Sequence, residues 1–308
     1  MSTARWSLVA ALVTMVIWGA NFSFVKHVLT VLGVGPFLFI RFASMPVLAF
    51  LLLVIVFRHR IAHTWPRRED LPRFILAGLI GHSLHIGVVF WGISLSTAFS
   101  SALVLTSGPL FTLLILAVMG AERLRARQVA GTLVALAGIV VFLWDKFAAG
   151  VEDAGLGDGL LLLAALMFSL YTVLVMPLVK RYGPLIVLCY TLLFGAPPMI
   201  LASLPSFVAA DLGQLTPAVW LGLFWAIVLS SIGGWLVWTW VNAVRGIARS
   251  APLMYLPPPI AGVVAWLTLG ETFTLLKIIG AIVTMGGVAW AQFGAGTPRR
   301  EAAQPDSG

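Results

Sequence analysis

Charged side chains are scarce in this chain. They make up only 10% of its 308 residues, whereas hydrophobic residues make up 60%. A water-soluble domain needs a polar shell around its core, so this composition excludes one. The sequence therefore predicts a polytopic membrane protein, with the lipid bilayer as its surroundings.

Cysteine and membrane-buried acid are also nearly absent. The single cysteine, Cys189, lies inside an apolar run, which rules out a disulfide framework and a cysteine-rich metal site. No Asp or Glu lies deep in any apolar run, because Glu122 and Glu271 fall at predicted helix ends. A carboxylate-based proton or sodium site, the usual sign of ion coupling, is therefore missing. We expect no metal and no cofactor.

Positive charge is in excess, with a formal net charge of +8. The Arg residues stand in short clusters between apolar runs rather than along an aromatic-studded surface, so we expect no nucleic-acid partner. Cytoplasmic loops carry the excess of Lys and Arg in membrane proteins. If the N-terminus is cytoplasmic, only four of the 19 positive residues lie outside, namely Lys26, Arg41, Lys146 and Lys277. Both termini are therefore predicted to be cytoplasmic.

Ten apolar runs are long enough to cross the hydrocarbon core, which requires about 20 residues of helix. The loops between them are short, and the polar tail of residues 294–308 is predicted to be a disordered cytoplasmic segment. The predicted spans are residues 7–27, 36–57, 73–95, 98–119, 128–145, 157–179, 184–204, 217–240, 248–269 and 275–293. The predicted fold class is an all-α polytopic membrane protein with ten transmembrane helices.

The second half of the chain repeats the first after a shift of 149 residues. The superposed pairs are Trp91/Trp240, Ser101/Ser250, Pro109/Pro258, Glu122/Glu271, Gly131/Gly280 and Gly138/Gly287. The basic loop near residue 65 superposes on a loop near residue 214 that has no Lys or Arg. Because each half has five spans, an odd number, the second half enters the membrane in the opposite orientation. Its loops must then carry the opposite pattern of positive charge to obey the same topology rule. We therefore expect two inverted five-helix repeats, residues 1–145 and 157–293, joined by a linker loop of residues 146–156.

Prolines fall near the centres of the fourth and ninth spans, at repeat-equivalent places. A proline inside a helix removes a backbone hydrogen bond and costs about 3 kcal/mol or more. Freed carbonyls at that depth are tolerated only against protein or a watery cavity. We predict that these helix breaks line a path and act in gating, whereas kinks that only serve packing are the alternative. The prolines are Pro109, Pro257, Pro258 and Pro259.

Several motifs occur in a distinctive order along the chain. They are "WGANFSFVKH" in the first span, an Arg early in the second, the proline of the fourth followed by "GAERLRARQVAGTLVALAGIVV", and its echo "LGETFTLLKIIGAIVTMGGVAW". To about residue 293 the chain resembles EamA-type members of the drug/metabolite transporter superfamily, and among them it is most similar to bacterial aromatic amino-acid exporters. The resemblance implies ten helices in two inverted five-helix repeats and movement of small metabolites. The similarity to bacterial exporters implies a location in the bacterial inner (plasma) membrane.

Two histidines lie near the middle of the third span. His82 and His85 share one helix face, and a histidine can titrate near neutral pH. The pair is therefore a candidate for substrate binding and coupling, with neutral, hydrogen-bonded imidazoles as the alternative. A metal site is not expected, because no third ligand accompanies them in the apolar runs.

Aromatic and uncharged polar side chains inside the spans could form a pocket for a bulky zwitterion. Lipid-facing aromatics and helix–helix hydrogen bonds are the alternatives. Lys26 and Arg41, near the outer ends of their spans, either form an outer vestibule that draws in a carboxylate or snorkel to the surface. The candidate substrate-binding residues are Trp18, Asn21, His82, His85, Ser107, Tyr171, Trp238 and Tyr255.

These features favour a secondary exporter of hydrophobic or aromatic amino acids that works by alternating access. Efflux of amphipathic drugs or nucleoside-like metabolites is the alternative among transporters. An intramembrane enzyme would need a nucleophile and a base. Cys189 has no His near it in sequence, and Ser83 beside His82 lacks a nucleophile-elbow pattern. We therefore expect no enzymatic activity.

Overall fold

The computed structural model describes residues 3–120, 126–148, 152–245 and 251–293. These residues form helices and connecting turns, with no strand among them. Glu122, Ser250, residues 149–151 of the predicted linker and the predicted tail lie outside the described residues. The α-helices are α1 Thr3–Leu32, α2 Val34–Phe57, α3 Leu71–Gly78, α4 His85–Leu95, α5 Ala98–Leu105, α6 Gly108–Val118, α7 Ala126–Ala148, α8 Glu152–Tyr182, α9 Pro184–Val208, α10 Pro217–Phe224, α11 Gly234–Arg245, α12 Pro257–Leu269 and α13 Leu275–Phe293.

Eight helical segments of the described chain are long and apolar enough to cross a membrane, which makes this a multi-pass membrane protein. They correspond to the first eight predicted spans. The last two predicted spans correspond to shorter apolar helices, Leu253–Leu269 and Leu275–Ala291. The eight segments are Arg5–Leu32, Val34–Phe57, Arg68–Leu95, Ala98–Val118, Ala126–Trp144, Gly155–Tyr182, Pro184–Val208 and Pro217–Trp238.

Two of these segments contain a π-helical stretch. Leu79–Leu84 joins α3 to α4, and Trp225–Gly233 joins α10 to α11. The first stretch packs against α8 and α9, and the second packs against α1 and α2. A π-helical turn holds an extra residue, so it redirects the side chains and carbonyls that follow, and such turns are frequent at functional sites.

Prolines begin new helices at two places in the apolar core. The chain leaves the helix at Thr106 and Ser107 before α6 begins with Gly108 and Pro109. The second place is the start of α12 at Pro257, after a short 3-10 turn over Ala251–Tyr255. A proline lacks the N–H that continues a helix, but it fits the first helical turn. Both of these apolar runs are therefore broken helices.

Other backbone features recur about 150 residues apart. Gly33 and Gly183 both adopt a positive φ between two helices, and so do Gly120 and Gly270. A left-handed backbone is costly for a residue with a Cβ atom, which is why glycine occupies these positions. The two π-helical stretches and the two proline breaks recur at nearly the same interval.

The helices α2 and α9 pack against each other in antiparallel orientation. At one end the thiol of Cys189 donates to the carbonyl of Ala49 at 3.1 Å. At the other end a Cβ placed on Gly35 would lie 2.5 Å from Cβ of Ser206. These contacts join the two halves of the chain.

The helices α7 and α13 are also antiparallel, and they approach closely through small residues. A Cβ on Gly138 would lie 2.6 Å from the hydroxyl of Thr284, and one on Gly280 would lie 2.6 Å from the backbone nitrogen of Phe142. The helix faces that carry these glycines are therefore the packing surfaces of this pair.

Candidate binding cavity

A cavity of about 320 Å³ lies where the two broken helices meet α1 and α8. Its lining is mostly apolar, and no charged residue is among the lining residues that the structure describes. Pockets for small molecules have volumes of roughly 300–1,000 Å³ and are mostly apolar with a few polar groups. The lining residues are Trp18, Asn21, Phe22, Ala102, Leu105, Thr106, Gly108, Phe168, Ser230, Met254, Tyr255 and Pro257.

Both halves of the chain contribute corresponding positions to this lining. Thr106 and Tyr255 are separated by the 149 residues of the sequence repeat. Trp18 and Phe168 are separated by 150 residues. Two further pairs with the 149-residue separation are Leu105/Met254 and Gly108/Pro257. The cavity therefore lies between the two halves.

Trp18 is a fixed wall of the cavity. Its indole N–H donates to the carbonyl of Ser230 at 2.9 Å, within the second π-helical stretch. Trp238 meets its ring edge-on, with the ring centroids 5.8 Å apart. Of the two predicted tryptophans, Trp18 lines the cavity and Trp238 supports it from the side.

Asn21 lies one helical turn beyond Trp18 and also lines the cavity. Its side-chain oxygen is buried and has no hydrogen-bond partner among the described residues. Leaving a buried acceptor unpaired costs about 1–3 kcal/mol. Tyr255, the third predicted residue in the lining, donates its hydroxyl to the carbonyl of Val288 at 3.3 Å.

The histidine pair lies behind the cavity wall. The ring of His85 is 5.3 Å from that of Phe168, which does line the cavity. The ring of His82 is 5.5 Å from that of Tyr171. Neither histidine nor Tyr171 is among the described lining residues. The rings of Phe168 and Tyr171 are 6.2 Å apart, so these four side chains form one connected cluster beside the cavity.

Both imidazoles have hydrogen-bond partners. His82 Nε2 lies 3.1 Å from the hydroxyl of Thr191, and His85 Nδ1 lies 3.0 Å from the carbonyl of Gly81. The described residues contain no group of three or more His, Cys, Asp and Glu side chains that could hold a metal ion.

The helix-break residues differ in their surroundings. Ser107 is buried and donates its hydroxyl to the carbonyl of Val104 at 2.6 Å, which closes the end of α5 rather than facing the cavity. Pro257 lines the cavity and Pro258 is buried, whereas Pro259 lines a separate groove. The side chain of Pro109 lies outside the described residues.

Lys26 is bound by backbone carbonyls near the end of α4. Its ammonium group donates to the carbonyls of Ile93, Ser94 and Ser96 at 3.0, 2.6 and 2.6 Å. The last carbonyls of a helix have no helical donor, so Lys26 caps α4. It is not among the described lining of the cavity.

Arg41 is buried between α2 and the second π-helical stretch. It is 9% exposed, so it does not snorkel to the surface. Its Nη1 donates to the hydroxyl of Ser231 at 2.9 Å, and its guanidinium carbon lies 5.2 Å from the ring centre of Phe90. The ring face attracts the cation. No ion pair of Arg41 occurs within the described residues.

Two acidic side chains that the sequence analysis did not select hold the turn between α4 and α5. Asp158 is fully buried and accepts a hydrogen bond from the hydroxyl of Ser96 at 2.5 Å. Glu271 accepts from the backbone N–H groups of Ala98 and Phe99 at 2.6 and 3.4 Å, where the helix dipole favours a carboxylate. Asp158 stands at the second position of a predicted span, and that placement was the only sequence signal for its burial.

The family model described as the EamA-like transporter family matches residues 5–144 and 155–292. The chain belongs to this family. A "Probable terminal-alkyne amino-acid exporter" of Streptantibioticus cattleyicolor is 30% identical over 308 residues, which cover 99% of this chain and 98% of the relative. A "Probable amino-acid metabolite efflux pump" of Salmonella typhimurium is 26% identical over 301 residues, which cover 92% of this chain and 94% of the relative.

A solved crystal structure shares the fold of this EamA-like transporter. It superposes with a TM-score of 0.62 at 19% identity, and the match covers 96% of this chain and 100% of the solved one. The family and the names of the relatives indicate a membrane transporter of small molecules rather than an enzyme.

Proposed function

We propose that this EamA-like protein is a secondary transporter of the bacterial inner membrane that exports hydrophobic or aromatic amino acids. The observation that carries this proposal is the uncharged, aromatic-lined cavity between the two broken helices. Such a cavity suits a molecule with a bulky apolar part. The names of the two relatives, an amino-acid exporter and an amino-acid metabolite efflux pump, support the same substrate class.

Ten transmembrane helices in two inverted repeats, residues 1–145 and 157–293, are part of the proposal. Two features of the packing support it. If an axis in the membrane plane relates the halves, any helix that touches its own repeat counterpart must be antiparallel to it. The pairs α2/α9 and α7/α13 have this arrangement. The recurrence of π-helical stretches, proline breaks and positive-φ glycines also supports the repeat.

We further propose that the two inverted repeats work by alternating access. Rocking of one repeat against the other would expose the cavity first to the cytoplasm and then to the outside, with the breaks before Pro109 and Pro257 as flexible points. Trp18, Asn21 and Tyr255 would contact the substrate directly. Trp238, Tyr171, His82 and His85 would support the wall, and Lys26 and Arg41 would lie on the outward path.

Efflux from proteoliposomes tests the proposed substrate class. Vesicles are loaded in turn with labelled phenylalanine, leucine, glutamate or a nucleoside, with and without a pH gradient. We expect selective loss of phenylalanine and leucine compared with protein-free vesicles. Retention of both amino acids by vesicles that contain folded protein would refute the substrate assignment.

A further inference from the structure

The helix break before α12 leaves two backbone carbonyls without helical partners. In a helix, a carbonyl accepts from the N–H three or four residues further on. For Met254 those residues are Pro257 and Pro258, and for Tyr255 they are Pro258 and Pro259. A proline has no N–H, so neither carbonyl has a helical donor. Both residues line the cavity.

The side chains that line the cavity add further acceptors. The hydroxyl of Thr106 donates to the carbonyl of Ala102 at 2.8 Å, and that of Tyr255 donates to Val288. Since each hydroxyl has a single hydrogen, both oxygens can accept from a bound molecule while these two hydrogen bonds are kept. The unpaired oxygen of Asn21 lies in the same wall. A rotation about the last side-chain bond of Asn21, which is broadly permitted, would turn this oxygen into the cavity.

Charged donors are absent from the described lining, and its neutral side-chain donors include the amide of Asn21 and the hydroxyl of Ser230. A helix N-terminus ordinarily binds anions through its free N–H groups. The first three residues of α12 are Pro257, Pro258 and Pro259, so this helix start has none to offer. The indole N–H of Trp18 is used by Ser230. No Lys or Arg is among the described lining residues.

We infer that this cavity recognises its substrate by the amine end, with a primary ammonium group held by the acceptors at the helix breaks and by Asn21. The inference rests on the proposed function, because it assigns this role to the ammonium group of the exported amino acid. An ammonium group has three donors and no acceptor, whereas a carboxylate can only accept. Neutral oxygens hold cations in membrane proteins without a fixed counter-charge, which permits release.

Ligands that carry only one end of phenylalanine test this inference. Binding of phenylalanine, phenylethylamine and phenylpropionate is measured by titration calorimetry on the full chain in lipid nanodiscs. We expect phenylethylamine, which has no carboxylate, to bind within about threefold of phenylalanine. Phenylpropionate, which has no amine, is expected to bind at least about tenfold more weakly, the effect of losing a hydrogen bond to a charged group.

Two variants locate the recognition within the cavity. Asn21→Leu keeps the size of the side chain and removes its oxygen, and Thr106→Val removes the hydroxyl. Each is expected to weaken phenylalanine and phenylethylamine about tenfold and equally, with no change for phenylpropionate. Ser23→Ala is the matched control. Its hydroxyl is also buried without a partner among the described residues, but Ser23 lines a separate pocket. It is expected to leave all three affinities unchanged.

The outcomes separate this inference from the proposed function. Tight binding of phenylpropionate together with weak binding of phenylethylamine would overturn the inference and leave amino-acid export standing. Binding of phenylethylamine without binding of any amino acid would refute the proposed function and keep amine recognition. If neither phenylethylamine nor phenylalanine binds, both the inference and the proposed function are refuted. Amine binding that is competitively displaced by Na⁺ would assign these acceptors to a metal cation and overturn the inference.

Discussion

At the residue scale, two tryptophans of this chain have opposite surroundings. Trp18 lines the cavity and is fixed by Ser230 and Trp238, whereas Trp91 is 54% exposed on the outside of the helical bundle. We predict that Trp18→Ala weakens phenylalanine binding at least about tenfold, because it removes a preorganised aromatic contact. The matched variant Trp91→Ala is predicted to bind as the wild type does. Equal affinities for both variants in calorimetric titrations would remove Trp18 from the site.

A variant of Lys26 distinguishes a capping role at the end of α4 from a role in an outer vestibule. Lys26→Met removes the donor for three carbonyls near the end of α4. We predict a loss of stability of about 1–3 kcal/mol, seen as a lower midpoint of thermal unfolding. The exposed Lys180 is the control, and Lys180→Met should leave the midpoint unchanged. An unchanged midpoint for Lys26→Met, with an increased KM for export, would instead favour the vestibule.

At the element scale, the proline break before α12 is predicted to be needed for transport. The double variant Pro258→Ala and Pro259→Ala supplies N–H groups to the carbonyls of Met254 and Tyr255 and allows the helix to continue. We expect the initial rate of phenylalanine efflux to fall at least about tenfold with no loss of thermal stability. Pro205→Ala, inside α9 and away from the cavity, is the control. Wild-type efflux by the double variant would show that the break only serves packing.

A second prediction at the element scale concerns the close contact of α7 and α13. A Cβ on Gly138 would collide with Thr284, whereas one on Gly286 of α13 would meet no atom within 4 Å. Gly138→Ala is therefore expected to destabilise the protein by about 1–3 kcal/mol through overpacking. Gly286→Ala should have little effect. Thermal unfolding of the purified variants measures this, and equal midpoints would contradict the packing described here.

Some of these elements can be read from the sequence, and others depend on the folded structure. The apolar runs and the proline breaks follow from local composition, because each is set by residues close together in the chain. The π-helical stretch Leu79–Leu84 gives no such signal, since the extra residue in its turn depends on packing against α8 and α9. The sequence identified Asn21 as a candidate binding residue, but it could not show that the side-chain oxygen of Asn21 has no hydrogen-bond partner among the described residues.

Contacts between residues that are far apart in the chain could not be predicted from the sequence either. Lys26 and Arg41 stand near span ends, and the sequence alone could not show that one caps α4 and the other lies under Phe90. The sequence did not single out Asp158, which is buried and accepts a hydrogen bond from Ser96. Each of these outcomes depends on which helices become neighbours.

At the scale of the whole molecule, the proposed inverted repeat predicts the sidedness of equivalent loops. The sole cysteine, Cys189, is buried, so Cys189→Ser provides a background for single cysteines. In that background Arg60→Cys should react with an impermeant maleimide only from the cytoplasmic side. Gly213→Cys, in the corresponding loop of the second half, should react only from outside. Labelling of both from the same side would exclude an inverted second repeat.

The central claim is that a hydrophobic or aromatic amino acid crosses the membrane through this cavity by alternating access. Counterflow tests it most directly: vesicles containing the protein are loaded with unlabelled phenylalanine, and uptake of external labelled phenylalanine is followed over time. The account predicts transient accumulation of label above its final level, and none when the vesicles are loaded with glutamate. An absence of this overshoot with phenylalanine and leucine, in vesicles whose protein is folded, would contradict it.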